Sequence, residues 1–421
     1  MKILLVSNIF PPGFIGGYEL GALDVARGLQ SLGHDVRVLT SDYFLDDSST
    51  LEDLEVIRTL SCVSQSHEIL APEIVEGKGL IYNFQNIRTL GSAIRREEPD
   101  LLLMFNLHGL GVVSILHFVS CLRIPAVLYL MDNIAQGLDT ASKTYQDYTC
   151  AVGASSLGSE IKVIAMSQKV VEEVAASLAC APPRATLIPG WVDSNDCRPS
   201  RTTAARSGVT RFVFCSRVAP HKGSLLLLDA AHMLAGAGIG SFEVDVYGPG
   251  QVGDFMQMTK AMGLDHCVAY RGVAHKNQVP GILARYDALL FPTWDRESFG
   301  FIVSEAAASG CLPVFTRGIG AADWFQDGVD CIMIDRNAES LANAMLAILN
   351  LDDATLANMR AASRDCASKN FDLRRWMPVI EGICKEAVAN SVTRDPARWH
   401  GLESGFMVLN SLGGNARQPA A

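Results

Sequence analysis

Short apolar runs alternate with amphipathic segments along most of the chain. Nine runs rich in Val, Ile and Leu mostly lack the apolar–polar alternation of half-exposed strands, which indicates strands buried on both faces. They span residues 2–7, 35–40, 101–105, 126–131, 163–165, 211–215, 243–247, 288–291 and 313–315. Helical spacing of apolar residues between them, as in 19–31 and 298–309, completes a βα alternation. This alternation predicts an α/β fold with doubly wound parallel sheets.

The βα pattern runs twice. The first series ends near Pro189, a polar stretch at 192–208 is typical of a linker, and a second series begins at Arg211. We therefore predict two Rossmann-like domains, 1–200 and 206–373, with the carboxyl ends of both sheets facing a central cleft. A helix at about 374–395 is predicted to cross back to the first domain, followed by a loose tail at 396–421.

Composition narrows the protein class. Of 421 residues, 49% are hydrophobic and 19% are charged, which excludes a disordered chain, a coiled coil and a collagen. The mean hydropathy of +0.20 is high, and two sheets buried on both faces account for it. A formal net charge of −10 argues against a nucleic-acid polymer as partner.

Neither the cysteines nor the apolar segments indicate secretion or a membrane span. The window 101–131 is broken by polar residues and Pro125, so it predicts a buried strand, a helix and another strand. The first apolar run is too short for a secretory signal. Eleven scattered cysteines without a Cys-x-x-Cys pair indicate reduced thiols. We expect a cytoplasmic protein, and peripheral contact with the inner face of the membrane stays open.

Two motifs offer sites for an anion. Gly16 and Gly17 stand between the first strand and a helix, where backbone amides can approach a ligand closely. An ordinary strand–helix turn is the alternative. The pattern is not G-x-G-x-x-G, which disfavours a dinucleotide-dependent dehydrogenase. Arg217 and Lys222 follow the first strand of the second domain and could clamp two phosphates, unless they are a solvated pair on a loop.

A third motif places two carboxylates around a helix start. Glu297 and Glu305 are eight positions apart, and Ser298 is predicted to cap the helix between them. The carboxylates could hydrogen-bond two parts of one hydroxyl-rich ligand. The amides of Phe299 and Gly300 would add a site for an anion or a hydroxyl group.

In this order, the three motifs resemble those of the retaining nucleotide-sugar glycosyltransferases of family 4 (group 1), which have the GT-B fold. Residues 11–40, with the paired glycines and then Leu-Gly-His-Asp-Val, are similar to the family's opening. Residues 297–314 are similar to its ESFGxxxxEAxAxGxPV segment, and 163–193 to the segment before its linker.

The resemblance implies a role for each matching residue. Arg217 and Lys222 would hold the donor diphosphate, Glu297 would bind sugar hydroxyls, and His108 would face the donor sugar, which makes these four the catalytic set. Glu305 would bind the ribose, and the backbone at 270–273 would read the nucleobase. The implied donor-binding residues are Gly16, Gly17, Arg271, Gly272, Val273, Ser298, Phe299, Gly300, Phe301 and Glu305. Asp132 and Glu19 would lie on the acceptor side.

Three departures from the family pattern stand out. Ser216 replaces a glycine before the arginine, Gly190–Trp191 replaces Asn-Gly, and Met131–Asp132 replaces His-Asp. The last change puts acceptor chemistry carried over from the family in doubt. Residues 132–160 are the candidate acceptor loop, with a plain surface loop as the alternative.

The implied activity is retaining transfer of a hexosyl unit from a nucleoside-diphosphate sugar to a hydroxyl acceptor. UDP-sugars are the commonest donors in such families, and GDP- and ADP-sugars stay open. The acceptor class stays open among saccharides, lipid-linked saccharides and small molecules. No D-x-D motif occurs, so we expect neither a metal nor another cofactor. A nucleotide-sugar epimerase and a catalytically inactive nucleotide-sugar-binding protein remain alternatives. A phosphorylase would need a lysine for pyridoxal phosphate, and no comparable site is evident.

Overall fold

The computed structural model describes residues 1–13, 16–43, 51, 53–62, 83–134, 143, 146–147, 161–178, 181–192 and 208–390. The chain forms two compact units. Unit 1 comprises residues 1–188 and the chain from Trp376 onward, and unit 2 comprises Pro189–Arg375. The predicted linker, apart from Val192 and Gly208, and the predicted tail at 396–421 lie outside the described residues.

Unit 1 is built on a seven-stranded sheet in which every pairing is parallel. Its strands are β1 (Lys2–Val6), β2 (Asp35–Ser41), β3 (Glu55–Leu60), β4 (Leu101–Met104), β5 (Ala126–Leu130), β6 (Lys162–Ala165) and β7 (Ala185–Leu187). The order is β3-β2-β1-β4-β5-β6-β7, so the chain reverses direction across the sheet between β1 and β4. Ligands bind at such a switch point, outside the carboxyl ends of the strands.

Four helices flank this sheet in the described chain: α1 (Gly17–Ser31), α2 (Phe84–Glu97), α3 (Val112–Leu122) and α4 (Gln168–Ser177). The window 101–131 is indeed the buried strand β4, the helix α3 and the buried strand β5. Every residue of β4 and β5 is buried because helices cover both faces of a doubly wound sheet. No helix in the ranges given above is long and apolar enough to cross a membrane.

Unit 2 repeats the plan with six parallel strands. They are β8 (Thr210–Cys215), β9 (Phe242–Tyr247), β10 (Val268–Gly272), β11 (Ala288–Phe291), β12 (Leu312–Thr316) and β13 (Ile332–Ile334), in the order β10-β9-β8-β11-β12-β13. The helices are α5 (Ser224–Gly236), α6 (Val252–Ala261), α7 (Val279–Leu283), α8 (Phe301–Ala308), α9 (Ala338–Asn350) and α10 (Asp353–Asn370). The prediction of two Rossmann-like parallel sheets is confirmed.

The last described helix, α11 (Leu373–Ala389), begins in unit 2 and continues into unit 1. Its buried Met377 packs against Gly28 of α1, where an added Cβ would come within 2.6 Å of the Met377 sulfur. Glu381 Oε1 lies 2.8 Å from His34 Nε2, and Lys162 donates to Glu386 at 2.6 Å. The predicted return of a C-terminal helix to the first domain is confirmed.

Candidate active site

The predicted cation Lys222 and the predicted carboxylate Glu297 form an ion pair in unit 2. Lys222 Nζ donates to Glu297 Oε2 at 2.5 Å, and Thr293 Oγ1 donates to the same oxygen at 3.2 Å. Both charged side chains are about four-fifths buried, with 21% and 17% of their surface exposed. Residues 75 positions apart in the sequence are thus brought into contact at the carboxyl edge of the second sheet.

A close backbone contact brings the two loops together. Gly223 has a φ of +84°, and a Cβ at this position would lie 2.1 Å from the Pro292 carbonyl oxygen. Next to it, Trp294 N donates to the His221 carbonyl at 2.8 Å, and the two rings lie with their centroids 4.7 Å apart. Only glycine permits this approach, which places the turn after β8 against the loop after β11.

Arg217 follows β8 at the same edge and is half-buried. No carboxylate in the described part of the chain pairs with its guanidinium. The arginine backbone lies against a turn that sequence reasoning missed, Gly248–Gly250 after β9. A Cβ on Gly248 would collide with the Ser216 carbonyl oxygen at 1.9 Å, and Val218 N donates to Pro249 O at 2.7 Å.

The predicted helix cap at Ser298 is wrong. The helix α8 starts at Phe301, and its N-cap is Gly300 with a φ of +92°. A serine N-cap would need the helix to begin at the next residue, but Phe299 is buried and packs against the rings of Phe301 and Phe371. With Gly300 as the N-cap, the amides of the first turn that lack an intrahelical partner begin at Gly300 and continue with Phe301 and Ile302. The donor-site role of the Phe299 and Gly300 amides stays a prediction.

Trp191, one of the departures from the family pattern, supports this helix start. It is 4% exposed and meets Phe301 edge-to-face at 6.2 Å. Phe301 thereby has a packing role in addition to its predicted place in the donor site.

Glu305 lies one turn into α8 and is half-buried. Desolvation raises the pKa of its carboxyl to about 7, and the charge of Lys276 opposes the shift. The adjacent Cys215, at the end of β8, has its thiol pKa raised to about 12 by burial and by this carboxyl. A carboxyl group that titrates near neutrality beside the end of a central strand is typical of a functional site.

The end of β10 carries the predicted base-reading segment. Arg271 stands in a bulge, because Tyr270 pairs with Val246 while Gly272 pairs with Tyr247. Gly272 has a φ of +98° with nothing within 4 Å of an added Cβ, and Val273 is 56% exposed. This strand end is open to a ligand.

In unit 1, Gly16 and Gly17 lie at the start of α1 as predicted. Gly16 is exposed, and its amide donates to Glu19 Oε2 at 2.9 Å. Glu19 itself is only 3% exposed. The structure thus gives Glu19 a contact that holds the glycines, while its acceptor-side role stays a prediction.

His108 and Asp132 follow β4 and β5 at the carboxyl edge of the first sheet. The His108 backbone is fixed by Asn8 Nδ2, which donates to its carbonyl at 2.8 Å, and the His108 side chain is half-buried. Asp132 is exposed. Between the two, Tyr18 Oη donates to Tyr129 O at 2.9 Å and accepts from Met131 N at 3.1 Å, a link that sequence reasoning missed.

Two further features to examine are the candidate acceptor loop and groups of side chains that could hold a metal ion. The candidate acceptor loop lies almost entirely outside the described residues, except for positions 132–134, 143 and 146–147. Within the ranges the structure covers, no group of three or more His, Cys, Asp or Glu residues is placed to hold a metal ion. The eight described cysteines are all free, and six are buried.

Two family models match the sequence in the order of the two units. The model of Glycosyltransferase Family 4 matches residues 15–196, and that of Glycosyl transferases group 1 matches residues 209–351. The first match includes the glycine motif, and the second includes the arginine–lysine motif.

Curated relatives align over nearly the full length of both proteins. A glycogen synthase from Mycobacterium tuberculosis is 24% identical over 406 residues, which cover 92% of this chain and 95% of that protein. A GDP-mannose-dependent alpha-(1-6)-phosphatidylinositol monomannoside mannosyltransferase from the same species is 25% identical, with 89% and 95% covered.

Solved structures share the arrangement of elements. A glycosyltransferase from Rickettsia africae superposes with a TM-score of 0.69 at 17% identity, covering 93% of this chain and all of that one. Anabaena Alr3699/HepE, solved with UDP and glucose, gives 0.67 at 19% identity, covering 92% and 100%. At these identities the likeness establishes the fold, which is GT-B.

Proposed function

The chain belongs to the group 1 glycosyltransferases of family 4, and on this premise we propose that it transfers a hexosyl unit from a UDP-sugar to a hydroxyl acceptor, with retention at the anomeric carbon. The observation that carries the proposal is the Lys222–Glu297 pair at the carboxyl edge of the second sheet, the edge at which Arg217 also follows β8.

The ion pair leaves both partners with capacity for a ligand. An ammonium group has three donors, of which Glu297 takes one. Glu297 Oε2 accepts from Lys222 and Thr293, and no partner of Oε1 is found among the residues described. A diphosphate needs cationic donors and a sugar ring needs acceptors for its hydroxyls, so the pair suits a nucleotide sugar.

In the proposed reaction, the bond between the anomeric carbon and the β-phosphate oxygen breaks, and its electron pair leaves with the nucleoside diphosphate. The acceptor oxygen bonds to the same face of that carbon and passes its proton to the leaving phosphate. Arg217 and Lys222 stabilise the negative charge that develops on this phosphate. Glu297 orients the sugar through its hydroxyls.

Other residues bind the rest of the donor. Glu305 as a carboxylate accepts from the ribose hydroxyls, and the open strand end at Gly272 takes the nucleobase. Uracil is favoured as the nucleobase because an Anabaena structure of the same fold was solved with UDP and glucose. The mannosyltransferase relative is named for GDP-mannose, so guanine is the competing base. In this proposal no metal or other cofactor takes part, because Arg217 and Lys222 carry the charge of the diphosphate.

Purified protein incubated with UDP-glucose, UDP-galactose, GDP-mannose or ADP-glucose and a panel of oligosaccharides tests the proposal. We expect nucleoside diphosphate release that depends on the acceptor, and a glycoside with the anomeric configuration of the donor by NMR. Conversion of a donor without acceptor would indicate an epimerase instead. Thermal stabilisation by a nucleotide sugar without turnover of any substrate would indicate a binding protein.

A further inference from the structure

A buried carboxylate lies next to the strand end that we assign to the nucleobase. Asp245 stands in the middle of β9 with 6% of its surface exposed. Its Oδ1 accepts from Arg271 Nε at 2.7 Å, and its Oδ2 accepts from Tyr286 Oη at 2.7 Å. Arg211 Nη2 lies 3.9 Å from Oδ2 as a second cation. A buried carboxylate with both oxygens engaged holds its partners in place, since losing either hydrogen bond would leave a buried oxygen without its donor.

Tyr286 makes this carboxylate part of a larger cluster. It is 3% exposed, and its hydroxyl lies 3.2 Å from that of Tyr247. Burial, together with the hydrogen bonds to Tyr247 and Asp245, raises the pKa of Tyr286. The guanidinium of Arg211 lies 5.2 Å above the Tyr286 ring. Asp245 therefore lies on β9, between the neighbouring strands β8 and β10, within a buried hydrogen-bonded cluster.

The contact with Arg271 reaches the open strand end directly. Arg271 is the bulged residue of β10, and bulges are a common means of re-aiming a side chain. The backbone beyond it is held by Gly248 N, which donates to Gly272 O at 3.0 Å. Tyr270 Oη donates to Gly248 O at 3.0 Å. Arg271 thus ties the bulge to Asp245, while Gly272 and Val273 remain accessible.

We propose that Asp245, acting through Arg271 and held by Tyr286, is a positioning residue that fixes the backbone at 270–273 in the conformation that selects the nucleobase. The inference rests on the proposed function. Backbone amides and carbonyls discriminate between bases only where their positions are fixed, because a mobile strand end can adjust to any of them.

The test uses the full-length protein and isothermal titration with UDP, GDP and ADP. The variants are Asp245→Ala, Arg271→Ala, their combination, and Tyr286→Phe as a mild change that keeps the ring. Glu243→Ala is the matched control, since it removes a carboxylate from the same strand that contacts Arg211 at 3.7 Å and not Arg271. The quantity compared is the ratio of dissociation constants of the second-best and best nucleotides.

We expect Asp245→Ala and Arg271→Ala each to lower this ratio about tenfold, Tyr286→Phe to lower it less, and Glu243→Ala to leave it unchanged. The double variant should lose no more than either single one, because both break the same link. A purely structural role would weaken all three nucleotides equally and leave the ratio intact, which would overturn the inference. The inference would also be overturned if the effects of the two substitutions on the ratio were additive in the double variant.

Titration of the wild-type protein with the three nucleotides distinguishes a failure of the proposed function from a failure of the positioning role of Asp245. If it binds none of the three nucleotides, the proposed function fails and this inference with it. If it binds them without discrimination, the proposed function stands and the positioning role of Asp245 is refuted.

Discussion

Lys222 Nζ and Glu297 Oε2 lie 2.5 Å apart, across two loops whose strands, β8 and β11, are neighbours in the sheet. The two side chains that the donor would need as cation and as acceptor thus orient each other before any ligand arrives. Such preorganisation reduces the reorganisation that the reaction itself would otherwise require.

Replacing either member of the pair should remove most of the transfer activity. We expect Lys222→Ala and Glu297→Ala each to lower kcat by about 100-fold or more, the usual loss when one preorganised contact is removed. The double variant should be about as slow as the worse single one, because the residues act together. Steady-state kinetics on the best donor measure this.

The controls for these variants are Lys260→Ala and Glu339→Ala, two exposed positions in the same unit. Both should turn over at the wild-type rate. The two control variants should unfold at the wild-type temperature, because both positions are exposed. Lys222→Ala and Glu297→Ala should unfold at a lower temperature, because each leaves a mostly buried charge without its partner, and circular dichroism should show that both still fold. Normal turnover in either Lys222→Ala or Glu297→Ala would refute the assignment of the site.

The carboxyl of the half-buried Glu305 should make stability depend on pH. Its pKa is about 7 in the folded protein, whereas the ordinary value for a glutamate is 4.5, so the folded state holds a proton that the unfolded state releases. Stability is therefore lost as pH rises from 4.5 to 7. Glu305→Gln should unfold like wild type at pH values below this window and should be more stable above it, by up to about 3 kcal/mol. Chemical denaturation at a series of pH values measures the difference.

The affinity for UDP should rise with pH through the ionisation of Glu305, whereas the stability of the protein falls. Ribose hydroxyls donate best to the ionised carboxyl, so the affinity for UDP should rise between about pH 6 and pH 8 in wild type. The rise should be absent in Glu305→Gln and present in Glu339→Gln. An identical pH profile in Glu305→Gln and wild type would show that Glu305 does not contact the ligand.

Gly223 should tolerate no side chain. Its φ of +84° and the 2.1 Å approach of a Cβ to the Pro292 carbonyl mean that backbone must move. We expect Gly223→Ala to destabilise the protein by roughly 2–4 kcal/mol and to lower kcat, since it separates the loops of Lys222 and Glu297. Gly236→Ala, in α5 with nothing within 4 Å, is the control and should be neutral or stabilising. Chemical denaturation compares them, and equal stability of the two variants would contradict the packing described.

Transfer should survive the removal of divalent metal ions. The chain has no D-x-D motif, and Arg217 and Lys222 supply positive charge where a metal would otherwise sit. Activity after treatment with EDTA and gel filtration should equal that of untreated protein within about twofold. Activity that disappears and returns only with Mg²⁺ or Mn²⁺ would refute this expectation.

Much of the fold could be predicted from the local sequence pattern. Continuous apolar runs such as 101–105 and 288–291, separated by helical segments, are typical of parallel strands buried on both faces. Strand β3 was missed because Glu55 and Arg58 interrupt it at the sheet edge, where one side is exposed. Strands β7 and β13 are three residues each, too short for any periodic signal.

At the site, side-chain identity predicted more than backbone geometry did. Arg217, Lys222 and Glu297 stood out as charges after buried strands, but the pairing of the last two depends on Gly223, whose φ no local pattern reveals. Ser298 has the side chain of a helix cap, yet the left-handed Gly300 starts the helix. Asp245 gave no signal beyond its place in a strand, since its partner Tyr286 lies 41 positions away.

The return of α11 to unit 1 has a consequence for biosynthesis. The buried Met377, Ile380 and Cys384 belong to a unit whose other residues end at Ile188, so that unit is discontinuous in sequence. On the ribosome, unit 2 can fold once its contiguous chain has emerged, whereas unit 1 must wait with an uncovered groove beside Gly28 until α11 is synthesised. For the same reason, a fragment ending at residue 188 would carry an exposed apolar surface and should aggregate. A circular permutant that places α11 before Met1 would make unit 1 continuous.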